Sequence, residues 1–245
     1  MLHREVIFLF FREYKYTREI AAAVVQHLKC RGFDATLVTP EEYDVSLRAR
    51  TERVKTWCRQ LGKRNVCLVS IHTNAAGNGK QWMNARGWTC YTSRGQSAGD
   101  HLADCLYRAA ALWLPGLKLR KDYSDGDPDC ESDFFILKNT LCGAALTENL
   151  FHDNSDDCLF LESDEGRRAI VALHVEGDCE LCAETLLTPP SFPTDSPIMP
   201  DQIGHLSGIA PAPSFPRFHQ FRQLMEVFLF SYLLPCVSGT FTGHS

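Results

Sequence analysis

The chain lacks the features that mark a secreted, membrane-spanning or nucleic-acid-binding protein. Its 25 Lys and Arg residues are balanced by 30 Asp and Glu, and the pI is near 6.0, so nothing indicates a nucleic-acid partner. The apolar run at 6–11 follows Glu5 and precedes no small-residue cleavage site, which argues against an export signal. The run at 224–237 is too short to span a bilayer and contains Glu226, so no membrane insertion is expected. These absences predict a cytoplasmic protein.

A disulfide framework is also missing. The 11 cysteines are numerous, but their number is odd and they are scattered, several of them inside apolar stretches where a thiol behaves as a small hydrophobic group. A chain of 245 residues can build a core without disulfides, so we expect most of these thiols to be reduced. The pair Cys179 and Cys182 has CxxC spacing, but without a second such pair it is weak evidence of a metal or redox site.

Strand-like and helix-like segments alternate through residues 5–177, which is typical of a mostly parallel sheet covered by helices. Strands are predicted at 6–11, 33–38, 65–71, 87–92, 134–137 and 144–147. Helices are predicted after cap residues Thr17 and Ser46, at about 98–114 and at about 164–175. The predicted fold class is therefore α/β, a single domain with a mixed, mostly parallel sheet and helices on both faces.

The composition changes after Gly177. Nine of the 12 prolines lie beyond residue 186, and the helix and strand periodicities fade. This pattern predicts a folded domain over residues 1–177, followed by an irregular, poorly ordered, proline-rich tail over 178–245.

Three polar residues are expected at one edge of the predicted sheet. His72 lies where the third strand ends, Glu13 follows the first strand, and Glu148 follows the strand at 144–147. Ligands in open parallel sheets gather beyond the carboxyl ends of the strands, so these side chains should converge. One histidine and two glutamates suit a catalytic zinc ion with a carboxylate acting as general base. Taken singly, each has a simpler explanation as a loop residue or as a charge beside a helix terminus.

Four motifs, in order and with matching spacing over about residues 12–177, resemble the zinc-dependent N-acetylmuramoyl-L-alanine amidases (the amidase type 3 family). The motifs are Arg12-Glu13-Tyr14, Asp44-Val45-Ser46-Leu47-Arg48-Ala49-Arg50, Ser70-Ile71-His72-Thr73-Asn74-Ala75, and the segment from Phe134-Phe135-Ile136-Leu137 through Thr147-Glu148-Asn149-Leu150-Phe151. On this resemblance, residues 1–177 form an amidase-like catalytic domain.

The resemblance implies a function and a set of roles. The protein would be a bacterial enzyme that hydrolyses the amide between N-acetylmuramic acid and L-alanine in peptidoglycan, with Zn²⁺ as cofactor. Glu13 and His72 would be zinc ligands, and Glu148 would be the catalytic base. Peptidoglycan, which lies in the cell envelope, would be its partner, and it would act as a monomer. Tyr14, Asn74 and Arg86 are candidates to line the cleft, with no role assigned.

The sequence departs from the family at its first motif. The family's first zinc histidine lies in a Gly-rich loop after the first strand, whereas Phe10 and Phe11 run directly into Arg12. His3 lies at the wrong end of the predicted strand, about 20 Å away; His152, four residues after Glu148, is the other candidate. Two hypotheses of different class remain beside the amidase: an inactive relic or truncated copy that binds peptidoglycan or protein, and a zinc peptidase acting on another amide.

Overall fold

The computed structural model describes residues 11–187 and 226–231. Six α-helices are present in this part of the chain: α1 (Glu13–Cys30), α2 (Leu47–Leu61), α3 (Ala98–Trp113), α4 (Phe135–Lys138), α5 (Ser155–Glu162) and α6 (Asp164–Leu187). The strands are β1 (Asp34–Leu37), β2 (Val66–Asn74), β3 (Thr89–Thr92), β4 (Cys130–Glu131), β5 (Gly143–Phe151) and β6 (Glu226–Ser231). None of these helices is long and apolar enough to cross a membrane.

The strands form one mixed sheet in the order β1-β6-β2-β5-β3-β4. Strands β2 and β5 pair in parallel at its centre, and β6 runs antiparallel between β1 and β2. On the other side, β3 pairs antiparallel with β5 and parallel with β4. Because β2 and β5 run in the same direction, their carboxyl ends meet at one edge of the sheet, where the site lies.

Helices cover both faces of the sheet, and each face has its own hydrophobic core. The larger core joins apolar residues of α1, α3 and α6 to the odd-numbered β2 residues, such as Val69 and Ile71. The smaller core joins α2 and α4 to the even-numbered β2 residues, such as Val66 and Leu68. This alternation follows from the two-residue period of a strand. The predicted α/β class, a single domain with a mixed sheet between two helical layers, is confirmed.

Several predicted elements differ from those observed. The segment 134–137 is predicted as a strand, but Phe135–Lys138 forms the short helix α4, which packs Ile136 and Leu137 into the smaller core. The first helix begins at Glu13 rather than at a Thr17 cap, and Thr17 lies buried inside it. The Ser46 cap is confirmed, because its hydroxyl accepts a hydrogen bond from the Ala49 amide. The strand predicted at 6–11 lies outside the described residues except for Phe11.

The predicted domain end at Gly177 falls inside helix α6, which continues to Leu187. Gly177 does not end the helix. It allows α6 to approach α3 closely, because a Cβ at this position would come within 2.9 Å of the Leu106 side chain. Leu181 and Cys182 extend the buried side of the helix beyond it. The prediction of irregular structure from residue 178 onward therefore does not hold for 178–187, nor for strand β6; the rest of the predicted tail lies outside the described residues.

The Asp44-to-Arg50 motif fixes the start of α2. The Arg50 side chain is buried, its Nε donates to the Val45 carbonyl at 2.7 Å, and its Nη2 lies 3.3 Å from Asp44 Oδ1. These bonds tie the helix to the loop that precedes it. Within the described residues the motif therefore has a structural role.

Asp178 on α6 should make the stability of the fold depend on pH. It is fully buried, neither carboxylate oxygen has a hydrogen-bond partner, and burial raises its pKa well above the ordinary value. A carboxyl whose pKa is raised by folding stabilises the native state below its unfolded pKa, about 3.9, and loses that contribution as pH rises toward the folded pKa. Between these two pKa values, the free energy of unfolding of Asp178→Asn should rise relative to that of the native sequence by up to about 1.4 kcal/mol per pH unit.

Urea unfolding of both proteins at pH 5 and pH 7 measures this difference. The exposed residue Asp164, at the start of the same helix, supplies the control variant Asp164→Asn. A difference between Asp178→Asn and the native chain that stays the same at both pH values would show that Asp178 is not a buried, protonated acid.

Candidate metal centre and active site

Helix α1 and strand β2 bring Glu13 and His72 into contact. Glu13 is the first residue of α1, and its Oε1 lies 3.2 Å from His72 Nδ1 and accepts a hydrogen bond from the Thr73 amide at 3.2 Å. The imidazole is almost completely buried, and its Nε2 lies 3.1 Å from Ser70 Oγ. The Glu13 side chain retains 35% exposure, so the pair faces the surface at the sheet edge.

Strand β5 places Glu148 beside this pair. His72 and Glu148 are directly paired in the parallel ladder between β2 and β5, so both side chains lie on the α2 side of the sheet. Glu148 Oε2 is enclosed and has no hydrogen-bond partner. The three residues predicted from the sequence are therefore brought together at one sheet edge.

The two glutamates differ in their electrostatics. Burial raises the pKa of Glu148 to about 7; the His72 charge opposes the shift and the Glu13 charge adds to it. Burial also pushes the pKa of Glu13 upward, but hydrogen bonds and charge from His72, together with the Thr73 amide, outweigh it and leave that pKa below its usual value. At neutral pH Glu13 is therefore a carboxylate, whereas Glu148 can exchange a proton near pH 7. That difference suits one glutamate as a ligand and the other as an acid or base.

The Glu13 and His72 atoms fit two ligands of one zinc ion. Ligands bound tetrahedrally at 2.0–2.1 Å lie about 3.3 Å apart, and the observed Oε1 to Nδ1 distance is 3.2 Å. The enclosed, unpartnered Glu148 Oε2 on the same face is an acceptor available to an attacking water. Within residues 11–187 and 226–231, however, no three His, Cys, Asp or Glu side chains are arranged to hold a metal ion. The described residues thus offer two candidate ligands, where catalytic zinc sites usually have three.

His152 does not supply a third donor in this arrangement. Its Nδ1 lies 3.0 Å from Thr73 Oγ1, and its ring stacks on Phe11 at a centroid distance of 5.4 Å. Thr73 follows His72 in β2 and points to the opposite face of the sheet. His152 therefore bonds to Thr73 and not to His72 or Glu13, although its charge still contributes to lowering the pKa of Glu13. His3, the other candidate, lies outside the described residues.

A buried polar network behind the sheet fixes the two strands that carry the site. Asn149 Nδ2 donates to the His72 carbonyl at 3.0 Å and to Thr147 Oγ1 at 3.0 Å, while its Oδ1 accepts from Trp88 Nε1 at 2.8 Å. Thr147 Oγ1 in turn lies 2.9 Å from His174 Nε2. Burial lowers the pKa of His174 to about 4, so that ring is neutral at physiological pH. Asn149 was missed as a positioning residue; its signal was an amide inside an apolar strand, directly after Glu148.

The loop after β2 is held by two aspartates. Asp153 Oδ2 accepts from the Ala76 and Gly77 amides at 2.8 and 2.7 Å. Asp157 Oδ2 accepts from the Gly87 amide at 3.0 Å, and its Oδ1 pairs with Arg86 at 3.1 Å. Arg86, a candidate to line the cleft, therefore has a structural role in this loop.

The contacts of the other two cleft candidates, Asn74 and Tyr14, do not place them in the site. The Asn74 side chain accepts a hydrogen bond from the Ala75 amide at 2.8 Å and caps the end of β2. The Tyr14 hydroxyl is enclosed and has no hydrogen-bond partner.

Comparisons with known proteins identify the family of the chain. The model of the family described as N-acetylmuramoyl-L-alanine amidase matches residues 10–177. An endolysin of Bacillus phage SPP1 is 33% identical over 117 residues, covering 46% of this chain and 39% of that protein. The chain thus spans about two fifths of that relative's length.

Solved structures of low sequence identity share the fold. The catalytic domain of the N-acetylmuramoyl-L-alanine amidase CwlV from Bacillus (Paenibacillus) polymyxa var. colistinus gives a TM-score of 0.55 at 22% identity, covering 69% of this chain and 83% of that one. Ami1 from Mycobacterium abscessus gives 0.58 at 17% identity, covering 70% and 78%.

Proposed function

Because the chain belongs to the N-acetylmuramoyl-L-alanine amidase family, we propose that it hydrolyses the amide between N-acetylmuramic acid and L-alanine in peptidoglycan, with zinc as cofactor. The observation that carries the proposal is the convergence of Glu13, His72 and Glu148, which brings a donor pair 3.2 Å apart together with an enclosed free carboxylate oxygen. A metal ion with a nearby base is one established way to hydrolyse an amide at neutral pH.

In the proposed mechanism Glu13 and His72 hold the zinc ion. When bound, zinc lowers the pKa of a water molecule and polarises the amide carbonyl. Glu148 would accept a proton from the attacking water through its free Oε2 while the water oxygen bonds to the lactyl carbonyl carbon. Glu148 then delivers the proton to the alanine nitrogen as the carbon–nitrogen bond breaks. The products are a free lactyl carboxylate and a peptide with an L-alanine amino terminus, and Glu148 returns to its starting charge.

The electrostatics of Glu148 suit this double role. An acid–base catalyst works best when its pKa is close to the working pH, because it must both accept and donate a proton. Burial places the pKa of Glu148 at about 7, whereas a solvated glutamate would remain ionised and return the proton poorly.

A second candidate function is favoured by the shortage of ligands. With two protein donors among the described residues, zinc affinity could be too weak for catalysis, and the protein would then bind peptidoglycan without cutting it. One experiment that varies both the substrate and the availability of zinc distinguishes these functions.

The experiment compares two small substrates that differ on the acyl side alone: N-acetylmuramoyl-L-alanyl-D-glutamate, and the same dipeptide carrying a plain acetyl group. Each is incubated with the purified chain at one equivalent of zinc, with and without a chelator. We expect cleavage of the muramoyl substrate that the chelator abolishes and that added zinc restores. Equal cleavage of both substrates would identify a zinc peptidase, and binding of peptidoglycan without cleavage would identify the inactive relative.

A further inference from the structure

Arg120 is held at the side of the sheet next to the active site, and the proposed mechanism gives it no role. It belongs to a segment that runs parallel to the start of β3: Trp88 pairs with Leu119 in an isolated bridge, and the Arg120 amide donates to the Trp88 carbonyl at 2.7 Å. The Arg120 carbonyl accepts a hydrogen bond from the Tyr107 hydroxyl of α3 at 2.7 Å. These bonds fix the Arg120 backbone from both sides.

The side chain of Arg120 lies on the same face of the sheet as Glu148. Leu117 and Leu119 pack against the larger core, which is on the opposite face. Because consecutive residues of an extended segment point to opposite faces, Arg120 points to the catalytic face. One residue beyond the bridge, Arg120 lies level with Thr89, which is the partner of Glu148 in the ladder between β3 and β5.

The guanidinium extends to the carboxyl end of β5. Its Cζ lies 5.2 Å from the centroid of the Phe151 ring, a cation–π contact. Phe151 pairs with Asn74 as the next pair after the catalytic one in the ladder between β2 and β5. The contact therefore brings a positive charge to the edge of the sheet at which the site lies.

Arg120 is available to a ligand. The residue is exposed, and in the part of the chain that the structure describes no carboxylate pairs with it. Burial raises the pKa of the nearby Tyr91 hydroxyl; the charges of Cys130 and Glu148 add to this shift, and that of Arg120 opposes it. A guanidinium held in place without an acidic partner is suited to a carboxylate, because its planar donors match the two carboxylate oxygens.

The proposed substrate carries a carboxylate close to the bond that is cut. In the stem peptide L-alanine is followed by D-glutamate, which is linked through its side chain and keeps a free α-carboxylate unless that group is amidated to D-isoglutamine. Resting on the proposed function, we propose that Arg120 binds this α-carboxylate and makes the chain selective for D-glutamate over D-isoglutamine. Arg120 is then a specificity-determining residue on the leaving-group side of the site.

The test measures kcat/KM of the zinc-supplemented chain for two muramoyl tripeptides, L-alanyl-γ-D-glutamyl-L-lysine and the same tripeptide with D-isoglutamine. We expect the native chain to favour the D-glutamate substrate by about 10-fold, and this preference should weaken as the salt concentration rises. Arg120→Gln should abolish the preference by lowering kcat/KM for the D-glutamate substrate alone. The matched control is Lys121→Gln, because Lys121 is the adjacent cation and lies over the rings of Tyr107 and Tyr123; this variant should keep the preference.

Two results in an active protein would overturn the role of Arg120. One is equal kcat/KM of the native chain for both substrates. The other is an equal loss for both substrates in Arg120→Gln, which would show that the contact with Phe151 serves packing and not specificity. Because Arg120 is exposed, the variant should fold, and circular dichroism verifies this.

Calorimetric binding of the two free tripeptides separates this inference from the proposed function. If the native chain cleaves neither muramoyl substrate, the proposed function fails. Arg120 would then still be assigned to the carboxylate if the native chain binds the D-glutamate peptide more tightly than the D-isoglutamine peptide and Arg120→Gln does not. Equal affinity of the native chain for the two peptides, or no binding of either, would overturn the inference as well.

Discussion

Replacing Glu148 with glutamine should reduce turnover of a muramoyl–L-alanine substrate by about 10²- to 10⁴-fold, the contribution typical of a positioned acid–base group. Glutamine has nearly the same shape, but it can neither accept the water proton nor deliver one to the alanine nitrogen. The β2–β5 ladder that pairs Glu148 with His72 is formed by the backbone, so it should persist in the variant. The measurement is kcat at saturating substrate, together with the zinc content of both proteins.

The zinc content of the Glu148→Gln protein is the control for this prediction. Glu148 is not one of the two proposed ligands, so Glu148→Gln should bind zinc as the native chain does. A matched substitution at an exposed glutamate of α5, Glu162→Gln, should leave both turnover and zinc unchanged. Retention of most of the activity by Glu148→Gln would remove this residue from the mechanism, whatever its proximity to His72.

Replacing His72 with alanine should abolish zinc binding and, with it, activity. The change leaves Glu13 as the one remaining donor of the described pair, and loss of a direct ligand should cost more than the 10- to 100-fold in affinity typical of a lost supporting contact. His72 also lies 3.1 Å from Ser70 Oγ in a buried position, so some loss of stability accompanies the change. Competition with a chromophoric zinc chelator measures the affinity directly.

The control for His72 is His101→Gln, a substitution at an exposed histidine on α3. We expect this variant to match the native chain in zinc affinity, and we expect His72→Ala to remain folded by circular dichroism. Unchanged zinc affinity in a folded His72→Ala protein would show that the metal is held by other residues. The two-donor assignment would then have to be abandoned.

The central part of the fold could be predicted from the sequence because its signals are local and agree with one another. Continuous apolar runs mark the buried strands β2 and β5, and the alternation of strands and helices between them favours a parallel pairing. Parallel pairing alone places His72 and Glu148 at the same edge, which is why the site could be located before its geometry was known.

The errors occurred where one pattern has two structural solutions. A four-residue apolar run such as 134–137 fits a strand or a buried helical turn, and its packing between α2 and β5 decides for the helix. Gly177 resembles a helix end, but its contact with Leu106 depends on α3, which is distant in the sequence. Strand β6 lies in the apolar run at 224–237, but it pairs with residues more than 150 positions away, so no local signal could reveal its partners.

The convergence of Glu13, His72 and Glu148 could be predicted from the sequence, but the contacts that support these residues could not. Asn149 holds the His72 backbone through a bond between strands that depends on their register. The contact between His152 and Thr73 depends in the same way on the face of the sheet to which Thr73 points, near the end of β2. Both are tertiary properties, and they explain why sequence spacing alone could not show that His152 bonds to Thr73.

The most direct test is the appearance of new L-alanine amino termini when purified peptidoglycan is incubated with the chain and one equivalent of zinc. If the proposed amide is hydrolysed, alanine becomes the new amino-terminal residue, and its amount rises in proportion to the peptide released. Glu148→Gln should produce no such amino termini. No new amino termini from a folded, zinc-supplemented protein, or termini of another residue, would contradict the assignment of this site as a muramoyl–L-alanine amidase.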